Sequence, residues 1–177
     1  APEDFIMLAA LLRQMMSVKG LHNLKFLLVG DGVLRSRIER LIGHYQLKEN
    51  VILTGWRYDI PRILSALDIF VLTSLWEGLP LSVLEAMAAG VAVVVTNTRG
   101  VSEIIRENEN GFMVSPGAVH EMAIKVALLL EDSKLRAKIG KNAQVTLTDQ
   151  FATGVMVHET AYMYDTLLRQ KRRGYAH

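Results

Sequence analysis

Short apolar runs alternate with amphipathic stretches along most of this chain. The apolar runs are rich in branched and aromatic residues, as is typical of buried strands. They cover residues 25–30, 51–54, 69–72, 91–96 and 111–114. Apolar residues at helical spacing occur in 3–18, 34–45, 60–67, 81–88, 101–106 and 119–168, the last with breaks near Ser133 and 152–154. Continuously apolar strands that alternate with helices are typical of parallel sheets covered on both faces. The pattern therefore predicts one doubly wound α/β domain over residues 1–177, with a C-terminal helical appendage at 151–177.

The stretch from Asp68 to Gly90 carries the candidate chemistry. An apolar strand is followed by a turn that contains Glu77, and a helix begins after Pro80. At about 100° per residue, Glu85 is expected on the flank of an apolar face formed by Leu81, Leu84 and Ala88. A carboxylate close to a packed face needs a hydrogen-bonding partner. A helix N-terminus at the carboxyl end of a strand also favours anionic ligands.

Composition narrows the classes of function. The 177 residues include no cysteine, which excludes a disulfide framework and a thiolate nucleophile and fits a reducing compartment. A net charge of +2 does not indicate a nucleic-acid partner, and the apolar runs are too short to span a membrane. The basic cluster 169–173 is interpreted as a solvated helix end, with an anionic membrane surface as the alternative contact. We expect a cytoplasmic location, with peripheral contact at the cytoplasmic membrane face as the alternative.

Other ligand-binding and catalytic motifs are incomplete. Gly30-Asp31-Gly32 follows a strand, but Arg35 stands where a dinucleotide motif needs its third glycine, and no acid follows the next strand. Neither Ser74 nor Ser82 has a histidine nearby or lies in a hydrolase motif. The sequence contains no phosphate-binding P-loop, no D-x-D and no paired His/Asp metal cluster. We therefore expect no metal and no cofactor.

Glu77 and Glu85 form an E-x7-E motif inside TSLWEGLPLSVLEAMAAGVAVVVTNTRGVSEII. Together with FLLVGDGVLR, VILTGW, DIPRILSALDIFVLTS and NGFMVSPG, this segment resembles the donor nucleotide-sugar domain of retaining, family-4-type glycosyltransferases of the GT-B fold. The resemblance extends from about Phe26 to Leu168. It implies one Rossmann-like half of a GT-B enzyme. It also implies metal-independent transfer of a sugar, with retention, from a nucleoside-diphosphate sugar to a glycan, lipid or small-molecule acceptor.

The resemblance also implies roles for individual residues. The position of Glu77 implies a catalytic carboxylate that accepts hydrogen bonds from donor-sugar hydroxyls, and that of Glu85 implies contact with both ribose hydroxyls. Gly100 matches a glycine-rich turn of the family. The full set expected to bind the donor is Gly30, Gly32, Gly55, Trp56, Ser74, Glu77, Gly78, Leu79, Pro80, Leu81 and Glu85.

Two features of the family are expected to lie before Ala1. One is a first strand with a loop that carries an arginine and a lysine for the pyrophosphate, and the other is the N-terminal acceptor domain. Without those cations, we expect the 177 residues to bind nucleotide weakly and to transfer no sugar. Two alternatives stay open at this point. One is a non-catalytic nucleotide-sugar-binding module, and the other is an epimerase or phosphorylase with the same architecture.

Overall fold

A computed structural model describes residues 1–20, 23–147, 151 and 153–174, without the side chains of 153 and 172–174. The chain divides into two compact units, Ala1–Thr146 and Leu147–His177. The prediction of one domain with an appendage at 151–177 stays a prediction.

The larger unit contains six α-helices and five strands in its described residues. The helices are α1 (Pro2–Ser17), α2 (Arg35–His44), α3 (Ile60–Ser65), α4 (Leu81–Ala88), α5 (Val119–Glu131) and α6 (Ser133–Thr146). The strands are β1 (Phe26–Val29), β2 (Val51–Gly55), β3 (Ile69–Leu72), β4 (Ala92–Thr96) and β5 (Phe112–Val114). Each strand coincides with a predicted apolar run, and the break predicted near Ser133 separates α5 from α6.

One predicted helix is shorter than expected. Residues 101–106 contain only a 3-10 turn, Val101–Glu103. The backbone N–H of Arg106 donates to the side chain of Asn110 at 2.7 Å, so the chain leaves the helical path there. The same amide side chain donates to the carbonyl of Ile104 and to the hydroxyl of Thr146. The buried Asn110 therefore anchors the turn to the end of α6.

All pairs of strands are parallel, and they form two sheets. The first pairs β1 with β2, and the second has the order β3-β4-β5. In the described part of the chain, β1 and β3 are each hydrogen-bonded to a strand on one side only. All five residues of β4 are buried. Because successive side chains of a strand point to opposite faces, both faces of β4 are covered, as predicted.

Helix α1 contributes to two hydrophobic clusters of the larger unit. Ile6 and Ala9 pack with residues of α2 and β2, whereas Leu8, Leu12 and Met16 pack with residues of β4, β5 and α5. Phe26 of β1 touches both clusters. The helix therefore joins the cores of the two sheets within the larger unit.

The smaller unit contains α7 (Thr153–Gly174). The expected break at 152–154 falls partly on residue 152, which lies outside the described residues, and α7 begins at Thr153. Exposed apolar side chains of this helix are Val155, Met156, Val157, Tyr162, Met163, Tyr164, Leu167 and Leu168. Within the described ranges, no helix combines the length and apolarity that a membrane span requires.

Candidate functional site

The turn that carries Glu77 lies at the carboxyl end of β3. Half-buried Ser74 donates its hydroxyl to Oε1 of Glu77 at 2.7 Å, and Glu77 is itself half-buried. The carbonyl of Ser74 accepts a 2.6 Å hydrogen bond from the hydroxyl of Thr96, the last residue of β4. Two neighbouring strands thus hold the first carboxylate of the E-x7-E motif.

Helix α4 begins directly after this turn. Pro80 is its N-cap with an extended backbone, φ −73° and ψ 110°, and among the described residues no side chain caps the helix. Its first residue, Leu81, is 69% exposed. The positive end of the helix dipole is therefore open at the surface beside Glu77.

The structure corrects the predicted orientation of α4. Its buried residues are Val83, Ala86 and Met87, not the predicted face of Leu81, Leu84 and Ala88. Glu85 is therefore exposed, about 160° around the helix from Val83 at 100° per residue, and does not lie beside a packed face. The helix is apolar on most of its circumference, so spacing alone could not select the side that packs. In the described part of the chain, the carboxylate of Glu85 accepts no hydrogen bond.

A second loop supports the Glu77 turn. Gly100 follows β4 and is buried, and a Cβ atom placed on it would lie 1.6 Å from the carbonyl oxygen of Gly78 and 2.8 Å from Cα of Leu79. Only a glycine can occupy this position without displacing the turn. Thr98, two residues earlier, has a buried hydroxyl without a hydrogen-bond partner among the residues described.

The glycines after β1 form a separate group. Gly30 (φ +117°) donates its N–H to the carbonyl of Gly55 (φ +65°) at 3.0 Å. A cavity of about 300 Å³ is lined by residues 28–35, which include Gly30 and Gly32, and by Pro2, Ile38 and Leu53. Trp56, which follows Gly55 and is also expected to bind the donor, is 76% exposed.

Charged side chains form ion pairs at the turn after β1. The backbone N–H of Gly32 holds the pKa of the Asp31 carboxyl below its usual value, and Arg35 lowers it further despite partial desolvation. Arg35 donates to Asp31 at 2.8 Å and to Glu39 at 3.0 Å, and both bonds raise the pKa of its guanidinium. All three side chains have surface exposure, so the ion pairs orient the turn more than they stabilise the fold.

The expected site residues thus fall into two groups. One contains Ser74, Glu77, Gly78, Leu79, Pro80, Leu81 and Glu85, at the carboxyl end of β3 and the start of α4. The other contains Gly30, Gly32, Gly55 and Trp56, after β1 and β2. Thr96, which the sequence reasoning missed, belongs with the first group. Its only sequence signal was a hydroxyl at the carboxyl end of an otherwise apolar strand. Among the described residues, no three or more His, Asp or Glu side chains form a group that could hold a metal ion.

Comparison with known proteins places this geometry in a family. The family model for glycosyl transferases group 1 matches residues 2–146. The Escherichia coli UDP-Gal:alpha-D-GlcNAc-diphosphoundecaprenol alpha-1,3-galactosyltransferase is 35% identical over 130 residues, which are 71% of this chain and 33% of that protein. The chain therefore spans about a third of the length of that relative.

Solved structures agree with the family match. The Staphylococcus aureus TarM structure in complex with fondaparinux, alpha-GlcNAc-glycerol and UDP matches with a TM-score of 0.85 and 25% identity, covering 93% of this chain and 32% of that one. The C-terminal domain of a group 1 family glycosyl transferase (LpcC) from Francisella tularensis matches with a TM-score of 0.75 and 30% identity. That match covers 86% of this chain and 80% of the other. With the E-x7-E turn at the carboxyl edge of a parallel sheet, these matches show that the chain belongs to the group 1 glycosyl transferases and has the fold of their GT-B donor half.

Proposed function

We propose that this chain is the donor-binding part of a retaining glycosyltransferase that uses a nucleoside-diphosphate sugar. The observation that carries the proposal is the placement of Glu77 in the turn before the uncapped N-terminus of α4 and of exposed Glu85 in the second turn of that helix. Two carboxylates can accept hydrogen bonds from sugar hydroxyls, and the helix N-terminus favours the negative diphosphate. The turn and the start of α4 thus offer a partner for each of three parts of the donor, namely the sugar, the diphosphate and the ribose.

Each element has a defined part in the proposed transfer. Backbone N–H groups at the start of α4, beginning with that of exposed Leu81, stabilise the charge that develops on the diphosphate as its bond to the anomeric carbon breaks. The bonding electrons leave with the diphosphate, and the sugar becomes oxocarbenium-like. Glu77 orients the sugar through its hydroxyls, and Glu85 holds the ribose. The acceptor hydroxyl then attacks the face from which the diphosphate departs and gives its proton to an oxygen of that departing diphosphate, so the configuration is retained.

Uridine is the base we propose for the donor. The E. coli relative is named for UDP-Gal, and the TarM structure contains UDP. The acceptor is proposed to bind to a part of the enzyme outside these 177 residues, because the chain matches only a third of that relative.

Calorimetric or NMR titration of the chain with UDP, GDP and ADP tests this proposal. We expect UDP to bind at submillimolar to millimolar concentration and to bind more tightly than GDP or ADP. Tighter binding of GDP or ADP would contradict uridine as the base but would still support a nucleotide-donor site. No binding of any of the three at millimolar concentration would contradict the proposed function.

A further inference from the structure

The hydroxyl of Ser74 is committed to a protein partner in this structure. It donates to Oε1 of Glu77 at 2.7 Å, and the carbonyl of Ser74 is held by the hydroxyl of Thr96 at 2.6 Å. Thr96 is 2% exposed and belongs to a fully buried strand. These contacts form a continuous connection from the core of the sheet, through one serine, to the carboxylate expected to meet the donor sugar.

Such a connection has a physical consequence for Glu77. A free glutamate side chain loses rotamer entropy when a ligand fixes it. A hydrogen bond to an ionised carboxylate is shorter and stronger than a neutral one, and it can fix the side chain before the ligand arrives. Ser74 occupies Oε1, while in the described contacts Oε2 has no hydrogen-bond donor. One oxygen is therefore held by the protein, and the other remains available to a ligand.

The Gly100 contact restrains the backbone on the other side of Glu77. The loop after β4 packs closely against the backbone of Gly78 and Leu79, so that loop blocks movement of the turn toward Gly100. The side chain and the backbone of the turn are thus fixed by separate contacts, and a substitution of Ser74 should release only the side chain.

We propose that Ser74 is a positioning residue that acts on the donor sugar through Glu77 and makes no contact of its own with the nucleotide. This inference rests on the proposed function and refines the expectation that Ser74 binds the donor directly. It predicts that loss of the Ser74 hydroxyl weakens recognition of the sugar and leaves recognition of the nucleotide intact.

A double-mutant cycle tests this role. The unmodified chain, Ser74→Ala, Glu77→Ala and the double variant are titrated with UDP, UDP-glucose, UDP-galactose and UDP-N-acetylglucosamine. The sugar nucleotide that binds most tightly relative to UDP is used for the comparison. In Ser74→Ala we expect its affinity to fall about fivefold, the effect of one lost hydrogen bond, while UDP affinity changes less than about twofold. In the Glu77→Ala background, Ser74→Ala should cause no further loss, because its partner is already absent.

Ser65→Ala is the matched control. Its hydroxyl also makes one described hydrogen bond, to the carbonyl of Arg62, and both residues are exposed on α3, so its removal should leave every affinity unchanged. Thermal unfolding of each variant checks that the fold is retained.

The outcomes separate this inference from the proposed function. Failure of the unmodified chain to bind any UDP compound contradicts the proposed uridine site itself. Equal affinity for UDP and every UDP-sugar would overturn the positioning role alone. An equal loss for UDP and UDP-sugar in Ser74→Ala, or a loss that persists without Glu77, would also overturn it.

Discussion

At the scale of single residues, Glu85 is the side chain whose removal should weaken nucleotide binding most directly. It is exposed, and among the described contacts its carboxylate has no protein partner, so it is free to accept two ribose hydroxyls. Loss of hydrogen bonds to a charged acceptor should weaken binding of UDP in Glu85→Ala by about tenfold or more. Calorimetric titration of UDP against both chains measures this change.

Glu49→Ala provides a control of the same charge. Glu85 lies in the helix that follows the carboxyl end of β3, whereas Glu49 is exposed and precedes the amino end of β2. Its removal should leave UDP affinity unchanged. If both variants lost affinity equally, net charge and not a ribose contact would explain the effect. Unchanged binding in Glu85→Ala would contradict the assigned role.

The two glutamates could be found from the sequence, but their supports could not. Their spacing and the resemblance of the surrounding segment identify Glu77 and Glu85, since these features are local. The contact of Ser74 with Thr96 joins residues 22 positions apart, one just after β3 and the other at the end of β4. No local pattern contains that pairing, because it depends on which strands become neighbours and on their register.

At the scale of elements, the contact between two loops should be sensitive to a single methyl group. In Gly100→Ala, the added Cβ would lie 1.6 Å from the carbonyl oxygen of Gly78, so one of the loops must move. We expect the free energy of unfolding to fall by roughly 1–3 kcal/mol or more, the usual effect of overpacking. Binding of the UDP-sugar should weaken as well, because the same shift displaces Glu77. Denaturant unfolding and titration measure the two effects.

Gly43→Ala separates this clash from the general effect of adding a methyl group. Gly43 lies in α2 and has no positive φ, and a Cβ atom placed on it would meet no atom within 4 Å beyond its own helix. There the substitution should stabilise the chain by about 0.5 kcal/mol through improved helix propensity. If Gly100→Ala were as stable as Gly43→Ala, the close approach of the two loops would not exist in solution.

The elements themselves were largely predictable, and the direction in which they pack was less so. Continuous apolar runs such as 91–96 identify buried strands, because few other structures bury every side chain of a segment. In α4, six of the eight residues are apolar, and periodicity predicted the wrong face. Contact with β4 and α6 selects Val83, Ala86 and Met87, so tertiary packing overrides the local spacing.

At the scale of the whole molecule, the sequence predicts parallel strands but not how they are grouped. Apolar runs indicate that a strand is buried, and they do not identify its hydrogen-bonded neighbour. The observed arrangement has two parallel sheets, with β1 and β3 each paired on one side within the described residues. The cores of both sheets nevertheless share α1, so the larger unit needs no continuous ladder of strands to be compact.

The last prediction concerns what the 177-residue chain can do alone. We expect it to bind the UDP-sugar without transferring the sugar. Gly78, Leu79 and Leu81 are exposed, and Trp76 beside them is 82% exposed, so the diphosphate would lie at an open, hydrated surface. There the α4 dipole contributes only about 0.3–1 kcal/mol to charge stabilisation. Catalysis of group transfer by fixed dipoles and charges requires a site from which water is excluded.

Release of UDP from the UDP-sugar, followed over hours with and without simple sugar acceptors, should therefore not exceed the rate without protein. Titration of the same chain with the UDP-sugar is the positive control, because it shows whether the donor is bound under the same conditions. Rapid UDP release or sugar transfer by the bound chain would contradict this prediction and would show that these 177 residues suffice for the chemistry.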